Sequence, residues 1–278
     1  MGPPNGSGIF NPFRAARRAQ ALLSMGRPHA ALDLLAGALR QAPDNAYLHR
    51  AMSRTFMYLD RYDDAIGSAR SAIKYAPDEW LMHTALALAY INAYRHADAV
   101  TPALTAVRLQ PNASYPFAWA GEALRGVGDL SGALENAQSA SRMAPDRHQP
   151  LMARVFFSLG RWHESEEECE RAYSRYPEDA YIACFHGLAL IAQGRLDEAS
   201  LLQRSVLRRQ PSNLLSRFLL ERLESWRPNT RPASLGQMVE LETELHRARI
   251  AILTAEAEDR EGGAGVVLQR PMPPPLGR

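Results

Sequence analysis

The sequence predicts an all-α protein, a right-handed α-solenoid of about six helix–turn–helix units, and three observations carry that prediction. Prolines recur at Pro43, Pro77, Pro111, Pro145, Pro177 and Pro211, spaced 34, 34, 34, 32 and 34 residues apart. Between them one skeleton of small residues returns, clearest from Phe117 to Pro145, where Ala120-Gly121, Leu124, Gly128, Ala133, Ala137 and Ala140 follow helical spacing. A glycine closes the first helix of units one, four, five and six, where a left-handed cap costs least. A fixed period in this range marks a solenoid, in which each unit packs on its neighbours and the core grows along a line.

Residues 1–11 are mostly Gly, Pro, Ser and Asn, a composition too polar to bury a core, and are expected to be disordered. Repeats then fill residues 12–213. The first begins at Pro12 and its second helix near Pro28, a residue suited to a first helical turn. The second, from Ala46, carries Phe56, Tyr62, Ala65, Ala69 and Ala72; the third, from Trp80, carries Tyr90, Ala99, Ala103 and Ala106. The fifth starts two residues early and shows Phe156, Gly160, Trp162, Ser165, Cys169 and Ala172; the sixth, from Ala180, shows Gly187, Leu190, Gly194 and Ala199. Each closing proline stops a helix, because it lacks an N–H and clashes with the preceding turn. Each is followed by a residue of capping type, Asp44, Asp78, Asn112, Asp146, Glu178-Asp179 or Ser212-Asn213, expected to accept from the free N–H groups of the next helix.

After Pro211 the period fails. Residues 214–226 read as a capping helix over the last repeat, 227–233 as a linker, and 234–258 as an amphipathic helix opened by a capping box at Ser234 to Gln237. Its apolar stripe of Met238, Leu241, Leu245 and Ile252 either packs back on the array or faces a partner or a second copy. Residues 259–278 are a Pro/Gly-rich tail expected to be disordered, with an RPMPPPL run compatible with polyproline II.

The chain resembles the tetratricopeptide repeat family from about Pro12 to Pro211, with Ala120-Gly121, Leu124, Ala133 and Pro145 the clearest instance. The early tryptophan frequent in that family is missing from every copy, its place taken by Ala15, His49, His83, Phe117, Gln149 and Ala183. The resemblance implies that the first helices line a concave face. It places there Phe13, Arg17, Gln20, Tyr47, Arg50, Arg54, Tyr58, Leu81 and Asn92, then Tyr115, Trp119, Glu122, Arg125, Arg147, Arg154, Phe157, Tyr181 and Phe185. Helix periodicity independently sets Arg50 and Arg54 on one face with Tyr47 and Tyr58. The family's chaperone-tail clamp is not matched, since Ala16, Gln20, Ala51, Leu81 and Ala85 stand at its places.

Composition narrows the function. Net charge is +2, too small for bulk attraction to nucleic acid. All but one of the 32 basic residues are arginine, Lys74 being the exception, which reflects either codon usage in a GC-rich genome or arginine's fitness for bidentate recognition of carboxylate or phosphate. The two cysteines, Cys169 and Cys184, match no zinc-ligand spacing. Gly126-Val-Gly128-Asp-Leu-Ser-Gly132 has the wrong spacing for a phosphate loop, and His163 with Glu167 lies in a glutamate-rich solvated face rather than at a metal. The N-terminus lacks the pattern of a signal peptide, and no apolar run reaches membrane-spanning length, so a cytoplasmic location is expected.

The chain therefore reads as a non-catalytic scaffold or adaptor without cofactor or metal. Its partner is a protein or peptide, acidic or aromatic-containing, held by Arg17, Tyr47, Arg50, Arg54, Tyr58, Asn92, Tyr115, Trp119, Glu122, Arg125 and Arg154. The alternatives are a regulatory subunit docking through residues 234–258, or an anion or nucleic-acid binder using arginine and aromatic faces.

Overall fold

The computed structural model describes residues 10–145, 147–177, 179–225, 237–238, 240–242 and 244–245. The expectations for residues 1–9, for the linker, for Ile252 and for the tail lie outside them. The described residues form helices and turns with no strand, the all-α repeat architecture expected from the period. Two compact units divide at Pro111 and Asn112.

The first unit holds α1 (Pro12–Ser24), α2 (Pro28–Gln41), α3 (Ala46–Tyr58), α4 (Tyr62–Tyr75), α5 (Trp80–Asn92) and α6 (His96–Leu109). The second holds α7 (Ser114–Gly126), α8 (Leu130–Met143), α9 (Gln149–Ser158), α10 (Trp162–Arg175), α11 (Ala180–Ala192), α12 (Leu196–Arg209) and α13 (Leu214–Ser225), with further helical residues at 237–238, 240–242 and 244–245. The 32-residue spacing is absorbed by α9, which has 10 residues where the other first helices have 13.

One turn recurs inside every pair. The residue after the first helix's C-cap has positive φ, and the next N–H reaches back five residues: Arg61 to the Phe56 carbonyl at 3.0 Å, Arg95 to Tyr90 at 2.9 Å, Arg161 to Phe156 at 2.9 Å. This is the Schellman arrangement. Glycine fills the left-handed place at Gly26, Gly128, Gly160 and Gly194, but in the second and third pairs it falls to Asp60 (φ 56°) and Tyr94 (φ 58°). The arginine that follows is structural. Its guanidinium covers the aromatic ring five residues back, 4.7 Å from Phe56, 5.0 Å from Tyr90 and 4.5 Å from Phe156, while pairing with Asp64, Asp98 or Glu164 three residues on.

Between pairs, the closing proline opens a turn rather than a cap. In Ala42-Pro43-Asp44-Asn45 the Asn45 N–H returns to the Ala42 carbonyl at 3.3 Å, and Glu79 does the same to Ala76 at 3.3 Å. Proline's fixed φ suits the second place of such a turn and aspartate the third. The capping side chain is therefore one residue later than Asp44, Asp78 and Asn112: Asn45 accepts from Leu48 N, while Glu79 and Ala113, at that place in the next two turns, make no side-chain cap. Asp179 and Asn213 do cap, accepting from Ile182 N and Ser216 N at 3.2 and 2.9 Å.

Small residues set the helix spacing. Ala65, Ala69, Ala72, Ala133, Ala137 and Ala140 are wholly buried, and a Cβ on Gly121 would stand 3.2 Å from the Ala133 carbonyl oxygen. Within each unit, the first helices of successive pairs touch one another (α1 with α3, α3 with α5; α7 with α9, α9 with α11), whereas the second helices make no comparable contact among the described residues. The first helices thus line the inner, tighter side of each unit.

Candidate functional site

On the inner side of the first unit, α1 contributes Phe13 and Arg17, α3 contributes Tyr47, Arg50, Arg54 and Tyr58, and α5 contributes Leu81 and Asn92. The Phe13 and Tyr47 rings lie 4.9 Å apart, and Tyr47 Oη donates to Glu79 Oε2 at 3.4 Å. Burial, and then the Glu79 carboxylate, hold the Tyr47 phenol above its ordinary pKa, so it remains a donor. Asn92 turns back on its own helix, donating to the Leu88 carbonyl at 2.8 Å. Arg54 Nη2 is buried and finds no acceptor among the described residues. A guanidinium N–H in that condition favours an incoming carboxylate, because an unsatisfied buried donor is costly. Beside this row, Phe10, Phe13, Arg14, Arg17 and Arg18 border an open depression of about 790 Å³.

In the second unit the corresponding side chains are brought together, and they are already engaged. Glu122 on α7 lies at the centre, its side chain 6% exposed, with Oε1 3.0 Å from Arg125 Nη2 and Oε2 3.0 Å from Arg154 Nη2. Arg125 turns its other nitrogen to Glu242 Oε1 at 2.8 Å and to Ser158 Oγ at 3.2 Å. Burial opposes the charged guanidinium of Arg125, but Glu122 and then Glu242 outweigh it and raise its pKa above the usual arginine value. Arg154 also lies 6.0 Å from the Tyr181 ring, which packs edge-on to Phe185 at 5.1 Å. Tyr115 and Trp119 continue this face on α7, edge to face at 5.6 Å, and Trp119 Nε1 has no acceptor among the described residues.

Glu242 belongs to the segment at 237–245, whose Met238, Leu241 and Leu245 are buried at 0%, 5% and 0% exposure. These three share one apolar cluster with Phe157, Phe185, Leu188 and Leu219. Burying three such side chains contributes about 1.5–3 kcal/mol each before the entropy of ordering the segment. A second ion pair joins Glu244 to Arg222 of α13 at 2.9 Å. The stripe that periodicity left open between the array, a partner and a second copy is packed on the array at its described residues. Arg147 is exposed, outside this network.

Other candidate chemistry resolves into structure. The Gly126–Gly132 stretch is the end of α7, the turn and the first residues of α8, where the N-cap Asp129 Oδ1 accepts from Gly132 N at 3.0 Å. Among the described residues Glu166, Glu170 and His186 have oxygens and a nitrogen within metal-sharing reach. However, Arg195 Nη1 lies 2.6 and 2.7 Å from the two Glu166 oxygens, and Gln193 Nε2 donates to one of them at 2.8 Å. A cation would have to displace that guanidinium. Both cysteines are buried and reduced, and burial pushes the Cys184 thiol up to about 12 and the Cys169 thiol well above its ordinary value. No described helix is long and apolar enough to cross a membrane.

A profile described as tetratricopeptide repeat matches residues 50–114 and 151–213. No curated protein matches the sequence. Among solved structures, a thermophilic tetratricopeptide-repeat protein of Thermus thermophilus is 20% identical with a TM-score of 0.58, covering 65% of this chain and 99% of its own. PilW, described as a widely conserved type IV pilus biogenesis factor, is 15% identical with a TM-score of 0.65, over 77% of this chain and 98% of its own. A chain of the APC/C hetero-tetramer Cut9–Hcn1 is 12% identical with a TM-score of 0.67, over 77% of this chain and 43% of its own. At these identities the likeness is one of fold.

Proposed function

Because this chain belongs to the tetratricopeptide repeat family, whose solenoids serve in general as protein-interaction scaffolds, we propose that it is a non-catalytic scaffold whose inner faces hold acidic segments of partner proteins. The observation that carries this reading is the Glu242 carboxylate seated between inner-face side chains of the second unit, 2.8 Å from Arg125. That face engages a helical, acidic, amphipathic segment in the protein's own structure. The first unit offers the same residue types on the same kind of helix, with Arg50 and Arg54 flanked by Tyr47 and Tyr58 along α3 and an unsatisfied donor on Arg54. Charge-assisted arginine contacts supply the strong hydrogen bonds and the rings supply rigid contact area.

The test uses full-length protein with Arg50 and Arg54 both replaced by alanine, a substitution that favours the helix. Partners captured by the unaltered chain should bind the double variant about tenfold more weakly or worse, with a shallower salt dependence. Unchanged affinity, with an unchanged circular dichroism spectrum, would remove the first unit's inner face from the account.

A further inference from the structure

The repeat array of the second unit is closed by α13, which packs on α11 and α12 and buries Leu219 and Leu223. Met238, Leu241 and Leu245 add a further layer to the apolar cluster that α13 joins. Residues 237–245 are joined to the unit at both sides, through Glu244 to Arg222 on α13 and through Glu242 to Arg125 on α7. The charges of the inner face are unequal without them. Arg125 and Arg154 present two guanidinium groups to the single carboxylate of Glu122, and the Arg125 side chain is only 10% exposed. The balancing carboxylate is Glu242, from a segment 117 residues away in sequence. A buried cation lacking its second partner is strongly disfavoured, whereas a buried ion pair adds little net stability and mainly fixes register. At such a site the burial of Met238, Leu241 and Leu245 holds the occupant, and the ion pairs select it by charge.

We propose that residues 237–245 are a displaceable intramolecular ligand, and that the inner face of the second unit takes in their place a partner helix of the same chemistry. That helix carries apolar side chains at the spacing of Met238, Leu241 and Leu245, with acidic residues matching Glu242 and Glu244. Glu240 is exposed, on the outward side of such a helix. Trp119 Nε1 adds a further donor on α7 for a longer ligand. This inference rests on the inner faces being binding surfaces, and makes the second unit a gated one.

The probe is a fluorescent synthetic peptide of residues 234–258. A protease recognition sequence is placed within residues 227–233 of the full-length chain, and peptide binding is measured before and after cleavage. Before cleavage the tether holds the segment at an effective concentration on the order of millimolar, so the peptide should bind at least about tenfold more weakly than after. After cleavage the peptide should exchange with the released segment, and a peptide carrying Glu242→Arg should not. Three results would overturn the proposal: a cleaved segment that never exchanges, loss of helical signal once it is diluted away, or equal binding of the Glu242→Arg peptide. The Arg50→Ala/Arg54→Ala variant should exchange normally, so failure here leaves the reading of the first unit standing, and failure there leaves this one.

Discussion

Tyr94 sits at φ 58° in the place that glycine takes in four of the other turns, and a bulky side chain there crowds its own backbone. The ring is 43% exposed and meets the edge of His96 at 6.1 Å. Tyr94→Gly should therefore stabilise the fold by roughly 0.5–1 kcal/mol, the strain relief being partly offset by glycine's greater freedom when unfolded. A urea midpoint that falls instead would show the ring contact to matter more. His148 is a second residue with a definite sign. Burial and then Arg147 lower its pKa from 6.5 to about 4. Between those values the unfolded chain binds the extra proton, so stability should fall as pH drops from about 6.5 and stop falling through this group below about 4. His148→Gln should flatten that part of a melting-temperature profile. Cys169 and Cys184 should resist alkylation at pH 8 in the folded protein and react once it is denatured, since the thiolate is the reactive form. At this scale the sequence revealed the glycine turns but not their substitutes, because tyrosine rarely adopts positive φ and aspartate, which tolerates it better, is common in ordinary turns and caps too. It also attributed to recognition or codon usage several arginines that are structural: Arg61, Arg95 and Arg161 cover rings that only the folded turn brings beneath them.

Among the elements, the helix pair α7 and α8 shows how little room the repeat allows. Ala133 is wholly buried and its carbonyl lies under Gly121. Ala133→Arg should cost well over the roughly 1–3 kcal/mol of overpacking alone, because it also buries an unpaired charge. An unchanged thermal transition would mean that the helix register is wrong. This register was legible from sequence, since small residues returning every 34 positions mark where paired helices approach most closely. The capping pattern was read one residue early because Pro-Asp suits the middle of a turn as well as a helix start, and only the return bond from Asn45 to Ala42 separates the two. His49 and His83 fill the place of the family's tryptophan. Each has Nε2 2.7 Å from a proline carbonyl, Pro43 or Pro77, which requires that nitrogen to carry the proton. A polar tie to the preceding turn stands at both positions, the His49 ring also stacking on Tyr75 at 5.4 Å, and no pattern in the residues signals it.

Across the molecule, each unit places its first helices inside, and the candidate surface follows from that arrangement. Helix periodicity made Tyr47, Arg50, Arg54 and Tyr58 readable as one face of α3. Glu122, Arg125 and Arg154 were readable as neighbours of that kind too, but not as a buried network, because the carboxylate that completes it lies beyond the last repeat. The central claim is that partners dock on the inner helices. It is tested most directly by placing a photo-crosslinking residue at position 54 on α3 or at position 67 on α4, where an added Cβ meets nothing within 4 Å. Partner proteins should crosslink from position 54 and not from position 67. Crosslinking from position 67 alone would put the docking surface on the outer helices and contradict the account.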